Sequence, residues 1–247
     1  MKAILRAELI KLRTTRTFIT LTAFAVGTSL LIVTLTTILE EPTQESVLTD
    51  VFTADTSGLF ILILAVIGIS GEWRHHTITS SLLAAPDRIR FLAAKTIAFA
   101  AAGLVLSLVI SIAIGIVGLA ILSARDLPTP TIGDLAAQFA RNAMAAALIG
   151  AFGVGIGALL RNQVVAIVGV LVLSFIVEPA MIGLVPEVGR FGPFVALPTA
   201  AASIPPENVG FSDVDLPPAG LAVLYMLAWI GAAFAAGAAL LRTRDLE

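Results

Sequence analysis

The 247-residue chain contains no cysteine, only two histidines and few charged residues. Without cysteine it can form no disulfide, zinc ribbon or thiol nucleophile. Charged residues make up 13% of the chain, compared with roughly 25% in an ordinary soluble domain. The sequence also lacks a G-x-x-x-x-G-K-[ST] stretch, so we expect it to hold no nucleotide phosphates. Any dependence on ATP would therefore have to come from a partner.

Apolar residues dominate instead, at 58% of the chain with a mean hydropathy of +1.01. Several apolar runs are each long enough to cross about 30 Å of hydrocarbon as a helix. They lie at about 18–39, 52–70, 96–122, 136–160, 164–185 and 218–241. We predict an all-α integral membrane protein in which residues 1–247 form a single transmembrane domain with six spans. The second span is the weakest, since Asp55 would lie in its first turn.

The distribution of charge predicts the orientation. One set of segments contains 12 of the 15 Lys and Arg but only 5 of the 17 Asp and Glu. These segments are 1–17, 71–95, 160–163 and 242–247. Because positively charged segments stay on the cytoplasmic side, we expect a multi-pass plasma membrane protein with both termini in the cytoplasm. The second span is needed, because omitting it would put the basic residues of 71–95 on the opposite side.

Residues 1–16 have the pattern of an amphipathic helix. Leu5, Leu9 and Leu12 fall on one helical face with basic residues beside it, as expected for a helix that lies at an anionic membrane surface. The alternative is a plain basic flank that only sets the topology.

GEWRHHTITSSLLAAPDRIRFLAAK, residues 71–95, is the largest polar segment between the first spans that carries a cluster of positive charge. Thr77 can cap a short helix with apolar residues on neighbouring positions, and Asp87 can cap the helix of the third span. Such a short amphipathic helix suits a groove on a soluble partner. The alternative is that it lies on the membrane surface and docks nothing.

Residues 178–217 alternate short apolar pieces with Pro and Gly. Because these pieces are too short to cross the membrane, we predict short re-entrant or outer-surface helices that form an outer lid. The alternative is an ordinary extracellular loop with apolar patches.

Glu178 is the ionisable residue most nearly embedded in a predicted span, about 20 Å along the fifth helix at 1.5 Å per residue. A carboxylate there needs a partner or a wet cavity, which makes Glu178 a functional candidate. In the alternative, Glu178-Pro179 marks the break into the lid and the carboxylate caps backbone N–H groups. Arg141 and Asn142 are interpreted as interface anchors that snorkel.

The chain offers no complete catalytic or metal constellation. Gly68-Ile69-Ser70-Gly71 resembles the serine motif of an intramembrane protease, but both histidines follow it closely in a basic loop instead of a distant span. Glu72 and His76 would supply only two metal ligands. Gly153 and Gly157 have small-residue spacing that favours close helix packing. We therefore expect no catalytic, metal or cofactor site, and no enzyme activity of the chain itself.

Three stretches together resemble a known family: AELIKLRTTRTF, residues 71–95, and VEPAMIGLVP followed by RFGPFVALPTAAA. They resemble the membrane (permease) subunit of type-2 ABC exporters, over nearly the whole chain. The resemblance implies an elbow helix at 1–16, a coupling helix at about 74–85, and re-entrant helices between spans five and six. A second, shorter contact with the ATPase would fall at 160–163.

The family resemblance also implies the partners. Two copies of a separate ABC ATPase, which bind ATP and Mg, would dock on two permease subunits. The two permease subunits would be a homodimer or a pair with a sister permease. They would contact membrane lipid, and no nucleic acid would be involved. The docking candidates are Arg74, Ile78, Leu82, Leu83, Arg88 and Arg161. The expected function is ATP-driven export of an amphiphilic or hydrophobic cargo such as a lipid, peptide or antibiotic. A non-transporting scaffold of a sensory or assembly complex, or a proton-coupled secondary transporter using Glu178, remain as alternatives.

Overall fold

The computed structural model describes residues 2–74, 77, 87–160, 162–211 and 214–243. Within these ranges the chain forms helices and no strands. The helices are α1 (Lys2–Thr14), α2 (Arg16–Leu39), α3 (Val47–Val51), α4 (Ser57–Arg74), α5 (Arg88–Ala124), α6 (Ile132–Leu159), α7 (Gln163–Leu184), α8 (Pro186–Gly189), α9 (Ala196–Ala201) and α10 (Ala219–Thr243), with a 3-10 turn at Pro206–Val209. Six of them, α2, α4, α5, α6, α7 and α10, are long and apolar enough to cross a membrane, which confirms the predicted number of spans.

Helix α6 lies at the centre of the bundle and packs against α4, α5 and α10. Its small residues permit this close packing. A Cβ added at Gly153 would come within 2.8 Å of an α4 side chain, and one added at Gly157 within 2.4 Å. On α10, Ala233 and Gly237 approach α6 in the same way. The predicted packing role of Gly153 and Gly157 is confirmed, because larger side chains would push the helices apart.

The second span begins later than predicted. Helix α4 starts at Ser57, and the short helix α3 precedes it. Asp55 therefore lies outside the helix and not in its first turn; its Oδ1 accepts a hydrogen bond of 2.8 Å from the Ser57 backbone N–H. A carboxylate in this position satisfies a donor that the first helical turn leaves free, which favours a helix start after Asp55.

The fifth span continues through Glu178-Pro179, where the sequence predicted a break. Helix α7 runs to Leu184, and residues Leu173–Val177 form a π turn in which the Glu178 N–H donates to the Leu173 carbonyl. In an α-helix the ring of Pro179 would clash with the carbonyl four residues earlier. The wider π turn relieves this clash, so the helix passes the proline and ends only at Val185.

The segment after α7 folds back on the helix bundle. Helix α9 packs against α6 and α10, and α8 packs back on the end of α7. We call α8, α9 and the 3-10 turn the lid, the end of the bundle that carries them the lid end, and the opposite end, with α1, the α1 end.

Candidate functional site

Helix α1 packs against α5 with a face that contains one acidic residue. Leu12 and Glu8 are 8% and 4% exposed, whereas Leu9, predicted on the apolar face, is 37% exposed. The buried face of this otherwise basic helix therefore follows Glu8 and Leu12. A buried carboxylate requires a partner.

Lys95 of α5 is that partner, and it also binds the end of α4. Its Nζ lies 2.7 Å from Oε2 of Glu8 and 3.0 Å from Oε1 of Glu72, and it donates to the Gly68 carbonyl at 3.0 Å. Lys95 is 1% exposed and Glu72 is 6% exposed. One ammonium group thus joins α1, α4 and α5 with all three of its protons, inside the protein where such bonds are strong.

Lys11 completes this group on the solvent side. Its Nζ lies 3.0 Å from Oε1 of Glu8 and 3.1 Å from Oε1 of Glu72. Thr77, in the loop after α4, donates from Oγ1 to Oε2 of Glu72 at 3.0 Å. We call Glu8, Lys11, Glu72 and Lys95 the inner ion cluster. It contains two carboxylates and two ammonium groups, so its formal charge is zero.

The electrostatics of the inner ion cluster favour the charged form of Lys11. Burial lowers the pKa of the Lys11 ammonium, but the carboxylates of Glu8 and Glu72 outweigh this effect and raise the pKa above its ordinary value. Lys11 therefore stays charged at neutral pH. Removing one of the buried members, Glu8, Glu72 or Lys95, would leave an uncompensated charge in the protein interior, which costs far more than the pair contributes when intact.

The inner ion cluster was not predicted, although the sequence carries a signal for it. Glu8 is the only acid in a basic N-terminal segment, and Lys95 stands directly before the third apolar run. Each looks like an ordinary flanking charge. Nothing in local sequence pairs residues 87 positions apart, because that pairing depends on how α1 folds back on α5.

The predicted docking residues lie at the same end of the bundle, as far as they are described. Arg74 ends α4, is exposed, and donates to Oε1 of Gln163 at 3.4 Å. Gln163 begins α7, so the two loops predicted to contact an ATPase are adjacent. Ile78, Leu82 and Leu83, with most of the predicted coupling helix, lie outside the described residues, as does Arg161.

Arg88 makes a contact that its predicted role did not include. Its guanidinium donates to the backbone carbonyl of Leu241, near the end of α10. Asp87 caps α5 as predicted and accepts from the backbone N–H groups of Ile89 and Arg90 at 3.0 and 3.1 Å. The first turn of α5 is therefore fixed both by its cap and by the last span.

The Glu178 carboxylate accepts hydrogen bonds from backbone N–H groups, as the second interpretation of this residue predicted. It is 5% exposed, and its two oxygens accept hydrogen bonds of 2.7 to 2.8 Å from the backbone N–H groups of Phe194, Val195 and Ala196. These groups start α9, where backbone donors have no partner within the helix. Glu178 thus ties the fifth span to the lid, although the break predicted there lies further on.

A second polar network, also unpredicted, lies near the lid end. Asn142 is 5% exposed, so it does not snorkel as predicted. Its Nδ2 donates to the Phe52 carbonyl at 3.1 Å and to Ser111 Oγ at 3.4 Å. Ser111 and Ser107 in turn donate to Oδ2 of Asp55. Their spacing on α5 is one helical turn, which places both hydroxyls on the face towards Asp55.

A scan against protein-family models and a search of curated proteins found no match to this chain.

Proposed function

We propose that the chain is the permease subunit of an ATP-driven ABC exporter in the plasma membrane, with both termini in the cytoplasm. Two copies, or one copy and a sister permease, would assemble with two separate ATPase subunits. Spans one, two and five of two protomers would form the path for an amphiphilic or hydrophobic cargo. The ATPase would bind ATP and Mg, and this chain would bind neither.

The inner ion cluster is the observation that carries the proposal. The segment at 75–86 connects α4 to α5, and Lys95 holds both helices and α1 together beside it. A force applied to that segment would therefore reach the second and third spans, and through α1 the first, as one rigid unit. A scaffold that only tethers a partner needs no such buried bracing, whereas a transporter must transmit the movement of its ATPase.

The exposed apolar surface supports a second membrane subunit. Large side chains stay exposed along α2 and α7, including Phe24, Leu35, Phe175 and Ile176. In a bilayer these faces contact lipid or a neighbouring helix. Helices α5 and α10 carry exposed large apolar side chains too, so the exposed surface leaves room for a second subunit without fixing which spans it would contact.

The proton-coupled alternative has less support. A proton-carrying carboxylate must exchange protons with a wet path. Both Glu178 oxygens are instead occupied by the N–H groups that begin α9, which is a positioning role.

Docking can be tested by replacing Leu82 and Leu83 with Asp and co-purifying the chain with an ABC ATPase, should a neighbouring gene encode one. We expect the ATPase to be lost while membrane insertion is unchanged, because two charges would disrupt an apolar contact. Ile132→Asp is the matched control, since Ile132 is 87% exposed at the lid end. Intact co-purification of the double variant would contradict docking.

Coupling can be tested separately with Glu8→Gln in reconstituted complexes. We expect the ATPase to remain bound while cargo-stimulated hydrolysis falls, since α1 would lose its charged link to Lys95. Wild-type complexes without any cargo-stimulated hydrolysis would instead favour the scaffold.

A further inference from the structure

Two cavities adjoin each other at the lid end. The first, which we call the deep cavity, has about 320 Å³ and lies among α4, α6, α7 and α9. The second, the vestibule, has about 490 Å³ and lies among α2, α3 and the 3-10 turn. The residues that line both are Thr53, Asp55, Thr56, Ile204 and Val209. A ligand could therefore extend from one cavity into the other past Asp55.

The vestibule carries negative charge only. Its described lining contains Glu40, Asp50, Asp55 and Glu207 and no Lys, Arg or His. Arg125, nearby, donates to the backbone carbonyls of Thr37 and Glu40. A recess with one sign of charge and low-dielectric walls concentrates ions of the opposite sign.

Asp55 stands at the junction of the cavities. It accepts hydrogen bonds from the Ser57 N–H and from the hydroxyls of Ser107 and Ser111. These donors stabilise a negative charge but do not neutralise it. Among the described residues, no Lys or Arg forms an ion pair with Asp55. The Asp55 carboxylate can therefore pair with a cation that comes from outside the chain.

The deep cavity combines apolar walls with one unused polar atom. Leu59, Leu62, Ile149 and Phe194 line it. Ser174, on the π turn of α7, also lines it and is 6% exposed, and within the part of the chain that the structure describes its Oγ has no hydrogen-bond partner. Buried hydroxyls are nearly always partnered in native proteins, so an unpartnered one in a cavity wall marks a place for a ligand atom.

We propose that these cavities bind an amphiphile with a single ammonium-type cation. The cation pairs with Asp55, the apolar body fills the deep cavity, and Ser174 bonds a polar atom of the ligand. The deep cavity lies near the lower end of the roughly 300–1,000 Å³ of small-molecule sites. A metal ion fits less well, because no three Asp, Glu or His side chains in the described ranges lie close enough to hold one. That the ligand is exported cargo rests on the proposed function.

The binding test uses the chain alone in phosphatidylcholine nanodiscs, without an ATPase. Octyltrimethylammonium and octanesulfonate are matched in chain length and opposite in charge. We expect calorimetry, corrected for empty nanodiscs, to give at least about tenfold tighter binding of the ammonium compound, as for one ion pair with a partly buried carboxylate. Equal affinities, or a preference for the sulfonate, would overturn the proposal, and this comparison needs no variant.

Variants then locate the site. Asp55→Asn should weaken octyltrimethylammonium binding about tenfold or more and should not weaken octanesulfonate binding, because it removes a charge that repels the anion. Ser174→Leu, which fills part of the deep cavity, should weaken binding too. Glu187→Gln is the control, because Glu187 is an exposed acid in the lid that lines neither cavity. Unchanged ammonium binding by Asp55→Asn would place the site elsewhere and overturn the proposal.

The outcome of the ammonium-binding tests does not depend on whether the exporter proposal is correct. Ammonium binding that needs Asp55 would stand even if no ATPase associates with the chain. ATP-driven transport without any preference for the ammonium compound would overturn only the claim that the bound ligand is the exported cargo.

Discussion

The two ends of the bundle contain cavities of nearly equal size but opposite charge balance. At the α1 end a cavity of about 500 Å³ is lined by Glu8 and Glu72 together with Lys11, Arg74 and Lys95. At the lid end the vestibule of about 490 Å³ contains four acids and no base among its described residues. Where charges are paired within the chain, they hold helices together. Where they are not, the chain is suited to bind a charge from outside.

Breaking the paired end should have the largest effect. Lys95→Met leaves two buried carboxylates beside each other, and we expect it to lower the free energy of unfolding by about 3–5 kcal/mol. Lys11→Met removes the half-exposed ammonium of the same cluster and should cost no more than about 1 kcal/mol. Denaturant unfolding in detergent, followed by Trp fluorescence, measures both variants. Similar losses would mean that burial does not distinguish the two lysines.

Weakening the hydrogen bonds between Glu178 and the lid should have an intermediate effect on stability. Glu178→Gln replaces a carboxylate that accepts three backbone hydrogen bonds, and bonds to charged groups are worth about 1.5–3 kcal/mol. We expect faster hydrogen exchange at the N–H groups of residues 194–196, with the six spans intact. Glu187→Gln, on the exposed surface of α8, should leave this exchange unchanged. Unchanged protection in Glu178→Gln would show that packing alone holds α9.

Replacing Asp55 at the lid end should have the smallest effect on the free energy of unfolding. The substitution should raise this free energy, whereas the two preceding ones lower stability. Burial raises the pKa of the Asp55 carboxyl, an effect that hydrogen bonds from Ser107, Ser57 and Ser111 oppose. Because the folded state then holds this proton more tightly than the unfolded chain, its contribution to stability is present at low pH. That contribution is lost as pH rises from the unfolded pKa through the folded one.

Asp55→Asn should therefore stabilise the ligand-free protein slightly at neutral pH, by no more than about 1 kcal/mol. Parallel unfolding series from about pH 4 to 8 should converge at the acidic end. The other acids of the vestibule, Glu40, Asp50 and Glu207, face the same space and contribute to both series alike. A variant that is less stable at neutral pH would mean that Asp55 has a cation partner within the chain.

Hydropathy and charge distribution predicted the spans well, because crossing a bilayer requires a length and composition that can be read locally. The helix cap at Asp87 could also be predicted from the neighbouring residues alone, because it bonds to Ile89 and Arg90. The inner ion cluster was not predictable in this way, since Glu8 and Lys95 meet only after α1 folds back on α5. The fate of Glu178-Pro179 also escaped local rules. Proline predicts a break, but a π turn further back in the helix removes the clash that would have caused it.

The π turn at Leu173–Val177 accommodates about one residue more than an α-helical turn. Deleting one residue there would restore regular α-helical spacing and leave the remainder of α7 facing almost the same way. The ring of Pro179 would then meet the carbonyl four residues before it again, although no side chain of the Glu178 contact had changed. The fifth span can thus tolerate altered side chains here more readily than an altered number of residues.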